Sequence, residues 1–269
     1  MSEKEEGMSF LEHLEELRWH LIRAVLAVLV FAILAFVFYD VVFDDIILAP
    51  KNADFFTNRM FAQFADLIGV ESLKINTQPF QLININMAGQ FATHITVSLV
   101  IGLIVGFPYL FFEFWRFVRP ALYSNEKKHA RGSIFYTSFL FALGVLFGYY
   151  LITPLSVHFL GSYNVSSQVL NQINLSSYIS TVTSIVLASG VIFELPILIF
   201  FLSKIGLISP EFLKKYRKHA VVLMLVLSAI ITPPDIFSQV LVCLPLLILY
   251  EVGISISKRV QKQQAKEFE

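Results

Sequence analysis

A chain of 269 residues is long enough for one or two water-soluble domains, but 56% hydrophobic residues against 15% charged, with a mean hydropathy of +0.70, leave too few polar side chains to cover such a globule. Twenty Lys and Arg balance 20 Asp and Glu, which excludes a generally basic nucleic-acid binder, and the lone Cys243 excludes an intrachain disulfide or a cysteine-based zinc site. The solvent this composition suits is a lipid bilayer, so an all-α integral membrane protein is expected.

Residues 1–20 are acidic and amphipathic, without the basic and apolar regions of a cleaved secretory signal, and none is expected. Ser9 and Glu12 have capping-box spacing, and Phe10, Leu14, Leu17 and Leu21 form an apolar stripe, which predicts a helix lying at the interface over 1–20 before the first span. On its polar face Glu12 and Glu16 stand at i, i+4 and repel mildly. Either this is a solvated acidic face in which Arg18 makes local ion pairs, or it awaits a cationic partner.

Apolar runs of near-bilayer length predict six transmembrane helices within 21–256, at 21–38, 95–117, 134–152, 178–205, 220–234 and 236–256. The outer loop 39–84 mixes acidic residues with apolar ones such as Phe55, Phe56, Phe61 and Phe64, which fits a short amphipathic cap. In the second span Gly102 and Gly106 form a GxxxG, and Pro108 follows, as close helix packing with a kink requires. Glu113 and Arg116 at i, i+3 read as a local pair. Beyond them Glu126 is the sole carboxylate of a basic loop, where a local ion pair is the default reading. The stretch 162–177 is a polar, uncharged connection.

Glu194 lies inside the fourth span, where an ionisable group costs about 2.5–3.5 kcal/mol, so a water-accessible or partner-facing role is expected. Two residues on, Pro196 leaves the Ile192 carbonyl without its helical donor. Pro233, Pro234 and Asp235 predict a reversal, with Asp235 capping the sixth helix. The last two helices are short. The fifth, about 15 residues, reaches only ~22 Å against a hydrocarbon core of ~30 Å, which predicts a thinned bilayer flanked by Thr232 and Gln239.

Sixteen of the 20 Lys and Arg fall in 1–20, 115–132, 203–219 and the basic tail 257–269, so both termini are expected in the cytoplasm. No catalytic or nucleotide motif appears, the histidines have no ligand spacing, and no inverted pair of broken helices is evident; neither an enzyme nor a cofactor is expected.

Taken in order, Phe10-Leu11-Glu12-His13-Leu14-Glu15-Glu16-Leu17-Arg18, Ala49-Pro50, Phe107-Pro108, Trp115-Arg116-Phe117, Pro120-Ala121-Leu122-Tyr123, Glu126-Lys127-Lys128, Phe193-Glu194-Leu195-Pro196 and Ile231 through Gln239 resemble the TatC family, the six-span receptor subunit of the twin-arginine translocase. The resemblance implies a glove-like concave bundle in the cytoplasmic (inner) membrane and binding of twin-arginine signal peptides on folded cargo. It also implies an oligomeric complex with the single-span TatB and TatA, driven by the proton-motive force. On matching positions it implies that Glu16 and Glu126 bind the two arginines, with Arg18, Phe117, Pro120 and Leu122 shaping that site. Glu194 would be an intramembrane functional group, Thr232 and Gln239 would belong to the partner-docking region, and Pro50 and Asp235 would be structural. Two carboxylates suit paired guanidinium forks. The rival readings are a proton-coupled small-solute transporter using Glu194 and a structural assembly factor, which leaves Glu194 unexplained.

Overall fold

The computed structural model describes residues 10–77, 80–118, 130–166, 168–169, 171–232 and 236–267. In chain order the helices are α1 (Phe10–Val37), α2 (Phe56–Ile68), α3 (Gly89–Val118), α4 (Ala130–Phe147), α5 (Thr153–Ser162), α6 (Leu175–Ile192), α7 (Leu195–Lys204), α8 (Pro210–Lys215), α9 (Arg217–Ile231) and α10 (Ile236–Glu267). Among the described residues five stretches are long and apolar enough to cross a membrane: Leu14–Val37, Gly89–Val118, Ile134–Ser162, Leu175–Lys204 and Ser238–Ala265. The expected fifth crossing corresponds to α9, whose 15 residues fall short of that length.

Several expected boundaries move. The separate interfacial helix at 1–20 is not observed from Phe10 on, because α1 runs unbroken to Val37, with no glycine or proline to stop it. Ser9, and with it the capping box, lies outside the described residues. The third span does not end at 152. It passes through a π-helical turn, Gly148–Ile152, and continues as α5. The fourth is not continuous, being interrupted at Phe193–Glu194, where Pro196 removes a donor and crowds the preceding turn. The last helix does not stop at 256, since 257–267 contains strong helix formers and no breaker. Asp235 and the reversal around it lie outside the described residues.

The chain divides into two compact units. The first comprises Met1–Phe38 and Ile95–Phe139. Its seam is made of small residues: Ala24, Ala32 and Ala35 of α1 are buried, whereas Leu29, Val30, Ile33 and Leu34 are exposed, as suits lipid. Opposite them, a Cβ added at Gly102 would meet the Val28 carbonyl oxygen at 2.6 Å and the Ala32 backbone nitrogen at 2.7 Å. The two backbones touch, and only glycine permits it.

The second unit comprises Tyr39–His94 and Leu140–Glu269. Its loop region holds the amphipathic α2 and a buried amide network. Asn58 donates to the carbonyls of Pro50 (3.0 Å) and Asn52 (2.7 Å), while Asn76 donates to that of Pro154 (3.0 Å). Asn76 adopts φ 52°, a conformation that asparagine tolerates better than most residues. A two-residue parallel pairing joins β1 (Leu82–Ile83) to β2 (Ile173–Asn174), and Asn174 caps α6 by accepting from the Ser176 amide. Ser189 of α6 packs directly on Gly144 and Gly148. A core containing Ile199, Leu213, Met224, Val242, Leu246, Tyr250 and Ile254 joins α7 through α10. The end of α10 is held by Gln264, which donates to the Lys204 carbonyl at 2.8 Å.

Candidate functional site

A cluster of ionisable side chains lies between α1 and α3 in the first unit. On α1, Glu16, His20 and Arg23 follow at i, i+4 and i+7 and so share one face; on α3, Tyr109, Glu113, Arg116 and Phe117 do the same. Glu113 is at its centre, 1% exposed although it carries a carboxylate. His20 Nδ1 lies 2.5 Å from Glu113 Oε2, and Tyr109 donates to the same carboxylate. Two guanidinium groups complete the shell, Arg116 at 3.5 Å from Oε1 and Arg23 at 3.7 Å from Oε2. Pairing and hydrogen bonds of this kind offset the desolvation cost of a buried carboxylate.

His20 also links two of the residues expected at the site. Its Nε2 faces Glu16 Oε1 at 4.0 Å, and its ring meets Phe117 edge-on, centroids 6.3 Å apart. Glu16 itself is partly open to solvent, with its side chain 38% exposed, and its Oε2 has no hydrogen-bond partner among the described residues. Arg18, two residues along α1, projects from a different side of the helix and is exposed. Glu126, Pro120 and Leu122 lie outside the described residues.

The other expected residues belong to the second unit. Glu194 sits at the break between α6 and α7. Its two carboxyl oxygens are shielded and make no hydrogen bond to a described residue, although the Phe141 backbone lies near. Pro50 is fully buried and its carbonyl serves the amide network. Thr232 closes α9 by donating to the Ser228 carbonyl at 2.8 Å, and Gln239 in the first turns of α10 donates to that of Leu225 at 3.2 Å. Both side chains thus use a donor within their own hairpin.

Sequence reasoning missed His20; the local pair it expected between Glu113 and Arg116 is present, but the pairing of Glu113 extends well beyond it, to His20 and Arg23. The signal was present: Glu113 stands in an apolar aromatic run, Phe111-Phe112-Glu113-Phe114-Trp115, the same circumstance that singled out Glu194.

Comparison with known proteins adds a direct result. Residues 12–245 match the TatC family, described as Sec-independent protein translocase protein. The chain is 42% identical over 266 residues to the Sec-independent protein translocase protein TatC of Blattabacterium sp. subsp. Periplaneta americana, covering 98% of this chain and 100% of that one. It is 33% identical to the TatC of Aquifex aeolicus, covering 93% and 95%. Two crystal structures of a twin-arginine translocase receptor TatC superimpose on it. One has a TM-score of 0.63 at 33% identity, covering 93% of this chain and 100% of that one; the other, in DDM, has 0.69 at 34%, covering 91% and 99%.

Proposed function

The chain belongs to the TatC family of Sec-independent protein translocases, multi-pass membrane proteins that serve transport and not catalysis, and from that premise we propose that it is the receptor that reads paired arginines on the signal peptides of folded cargo. The observation that carries the reading is the state of Glu16. Its side chain is partly exposed, its Oε1 meets the His20 ring only at 4.0 Å, its shielded Oε2 has no hydrogen-bond partner among the described residues, and the guanidinium groups of Arg23 and Arg116 are engaged by Glu113. Such a group binds an incoming guanidinium without first losing a strong partner. Phe117 supplies the neighbouring aromatic surface. Glu126 takes the second arginine, with Arg18, Pro120 and Leu122 shaping the site.

In this reading the protein lies in the inner membrane with both termini in the cytoplasm, in an oligomeric complex with TatA and TatB, and transport draws on the proton-motive force. Thr232 and Gln239 mark the docking region for the single-span partners, beside α9. Glu194 is an intramembrane functional carboxylate that becomes satisfied when cargo or a partner is present. A proton-coupled small-solute carrier would instead need polar groups converging on Glu194, and neither oxygen is hydrogen-bonded among the described residues.

The test is site-specific crosslinking in membranes with two peptides, one bearing Arg-Arg and one Lys-Lys at the same positions. Wild-type protein captures the first alone, and Glu16→Ala with Glu126→Ala loses capture while still inserting. Undiminished capture by the double variant overturns the assignment.

A further inference from the structure

Glu113 is too deeply buried for a peptide to touch, yet it gathers His20, Arg23 and Arg116 around it. Resting on the receptor reading above, we propose that Glu113 and His20 are positioning residues of the recognition site. Glu113 withdraws the chain's own Arg23 and Arg116 from Glu16, and His20 holds the face of α1 that carries Glu16 against α3.

The need for such a device follows from chemistry. A site that selects guanidinium must not be filled by the protein's own guanidinium groups, and a tethered side chain competes at an effective concentration of about millimolar, far above that of a signal peptide. Arg23 and Arg116 are long, roughly half exposed (45% and 49%) and carried on the two helices that frame the cluster. Without a stronger anion nearby they would swing to the next carboxylate. Glu16 is that carboxylate, separated from Glu113 by a single imidazole ring that faces both. Glu113 prevails because it is buried, where each ionic contact is screened least. Arg116 is held further by lying over the Phe112 ring, 5.7 Å from its centroid. His20 acts through geometry: its bond to Glu113 joins the two helices one turn beyond Glu16, and its ring braces Phe117.

A solely structural role for Glu113 makes a different forecast. If Glu113 only stabilises the helix pair, removing its charge weakens the protein, and further removal of Arg23 and Arg116 restores no function. If it sequesters those arginines, Glu113→Gln exposes Glu16 to them, and deleting them frees Glu16 again.

The experiment measures binding of a fluorescent Arg-Arg signal peptide and its Lys-Lys counterpart to full-length protein in nanodiscs. Glu113→Gln, which keeps the side-chain volume and an acceptor for His20, is expected to lower Arg-Arg binding roughly tenfold. Glu113→Asp retains most of it. Glu113→Gln with Arg23→Gln and Arg116→Gln recovers it to within about threefold of wild type. If Glu113→Gln alone does not insert, the triple variant, which leaves no guanidinium stranded, is read directly against wild type. Wild-type affinity in Glu113→Gln, or a triple variant that inserts but binds no better than the single one, overturns the proposal. Wild-type protein that fails to separate Arg-Arg from Lys-Lys overturns the receptor reading itself, so the two failures are told apart by the control.

Discussion

Replacing Gly102 with alanine tests whether direct backbone contact builds the frame of the cluster around Glu113. The new methyl carbon would lie 2.6 Å from the Val28 carbonyl oxygen, 2.7 Å from the Ala32 nitrogen and 2.8 Å from the Ala32 Cβ, where ordinary contact begins at 3.4 Å. None of these atoms ends a flexible side chain, so α1 and α3 must separate by about half an ångström or more, at an overpacking cost of about 1–3 kcal/mol. Gly132 is the internal control, because it is helical and a Cβ there meets nothing within 4 Å. There alanine is expected to be neutral or to stabilise by about 0.5–1 kcal/mol through helix propensity. Thermal unfolding in one detergent, followed by the monodisperse fraction on size exclusion, should show Gly102→Ala melting several degrees below wild type and Gly132→Ala at or above it. The wedge also loosens the link between His20 and Glu113 three turns along α3, so peptide binding falls with it. Equal melting of the two variants would mean that the seam opens without cost and that glycine is not required there.

Two further outcomes follow from the second unit. Glu194→Leu removes a shielded carboxylate with no hydrogen bond to a described residue, so the variant should melt higher than wild type by the equivalent of about 1–3 kcal/mol while losing export; a lower melting temperature would show that the carboxylate is satisfied in the resting protein. Asn76→Ala combines backbone strain at φ 52° with loss of the side-chain bonds to Pro154 and Asn58, together about 2–4 kcal/mol, whereas Asn76→Gly loses the bonds only. Limited proteolysis of proteoliposomes in the segment 39–84 should therefore run fastest for alanine, slower for glycine and slowest for wild type, and identical rates would refute a locking role for this side chain.

The membrane class and the shortness of α9 were legible because each depends on runs of apolar residues and on where charge interrupts them, whereas the last helix, expected to be short, is the 32-residue α10. The close approach at Gly102 was legible for a related reason, since the GxxxG spacing places two missing side chains on one helix face. Helix continuity was legible in principle, as nothing in 10–37 breaks a helix, but a change of solvent along the chain was mistaken for a change of structure. The π-helical turn at Gly148–Ile152 had no local signal. It combines a local bond, with Thr153 donating to the Gly148 carbonyl at 2.9 Å, and a tertiary contact, with Gly148 seated on Ser189. Likewise the partners of Glu113 are far apart in sequence, His20 being 93 residues away, and no periodicity within one segment registers such a pair.

If the end of α9 is the docking region proposed above, the polar side chains there constrain what the partner can be. Leu225 and Ser228 of α9 lend their carbonyls to side-chain donors, the first to both Ser228 and Gln239, the second to Thr232. Thr232 and Gln239 therefore retain acceptor oxygens but have already directed a donor inward. Along the same helix Val222, Leu223, Val226 and Ile230 are exposed. A single-span helix approaching here gains most by laying an apolar face on that row and offering a hydroxyl or amide donor near the turn, in a setting where such a bond contributes about 0.6–2 kcal/mol. A 15-residue helix reaches only ~22 Å and leaves ~8 Å of hydrocarbon unmatched. A partner with an equally short apolar stretch would share one thinned patch of bilayer with α9, and the mismatch would then favour association instead of opposing it.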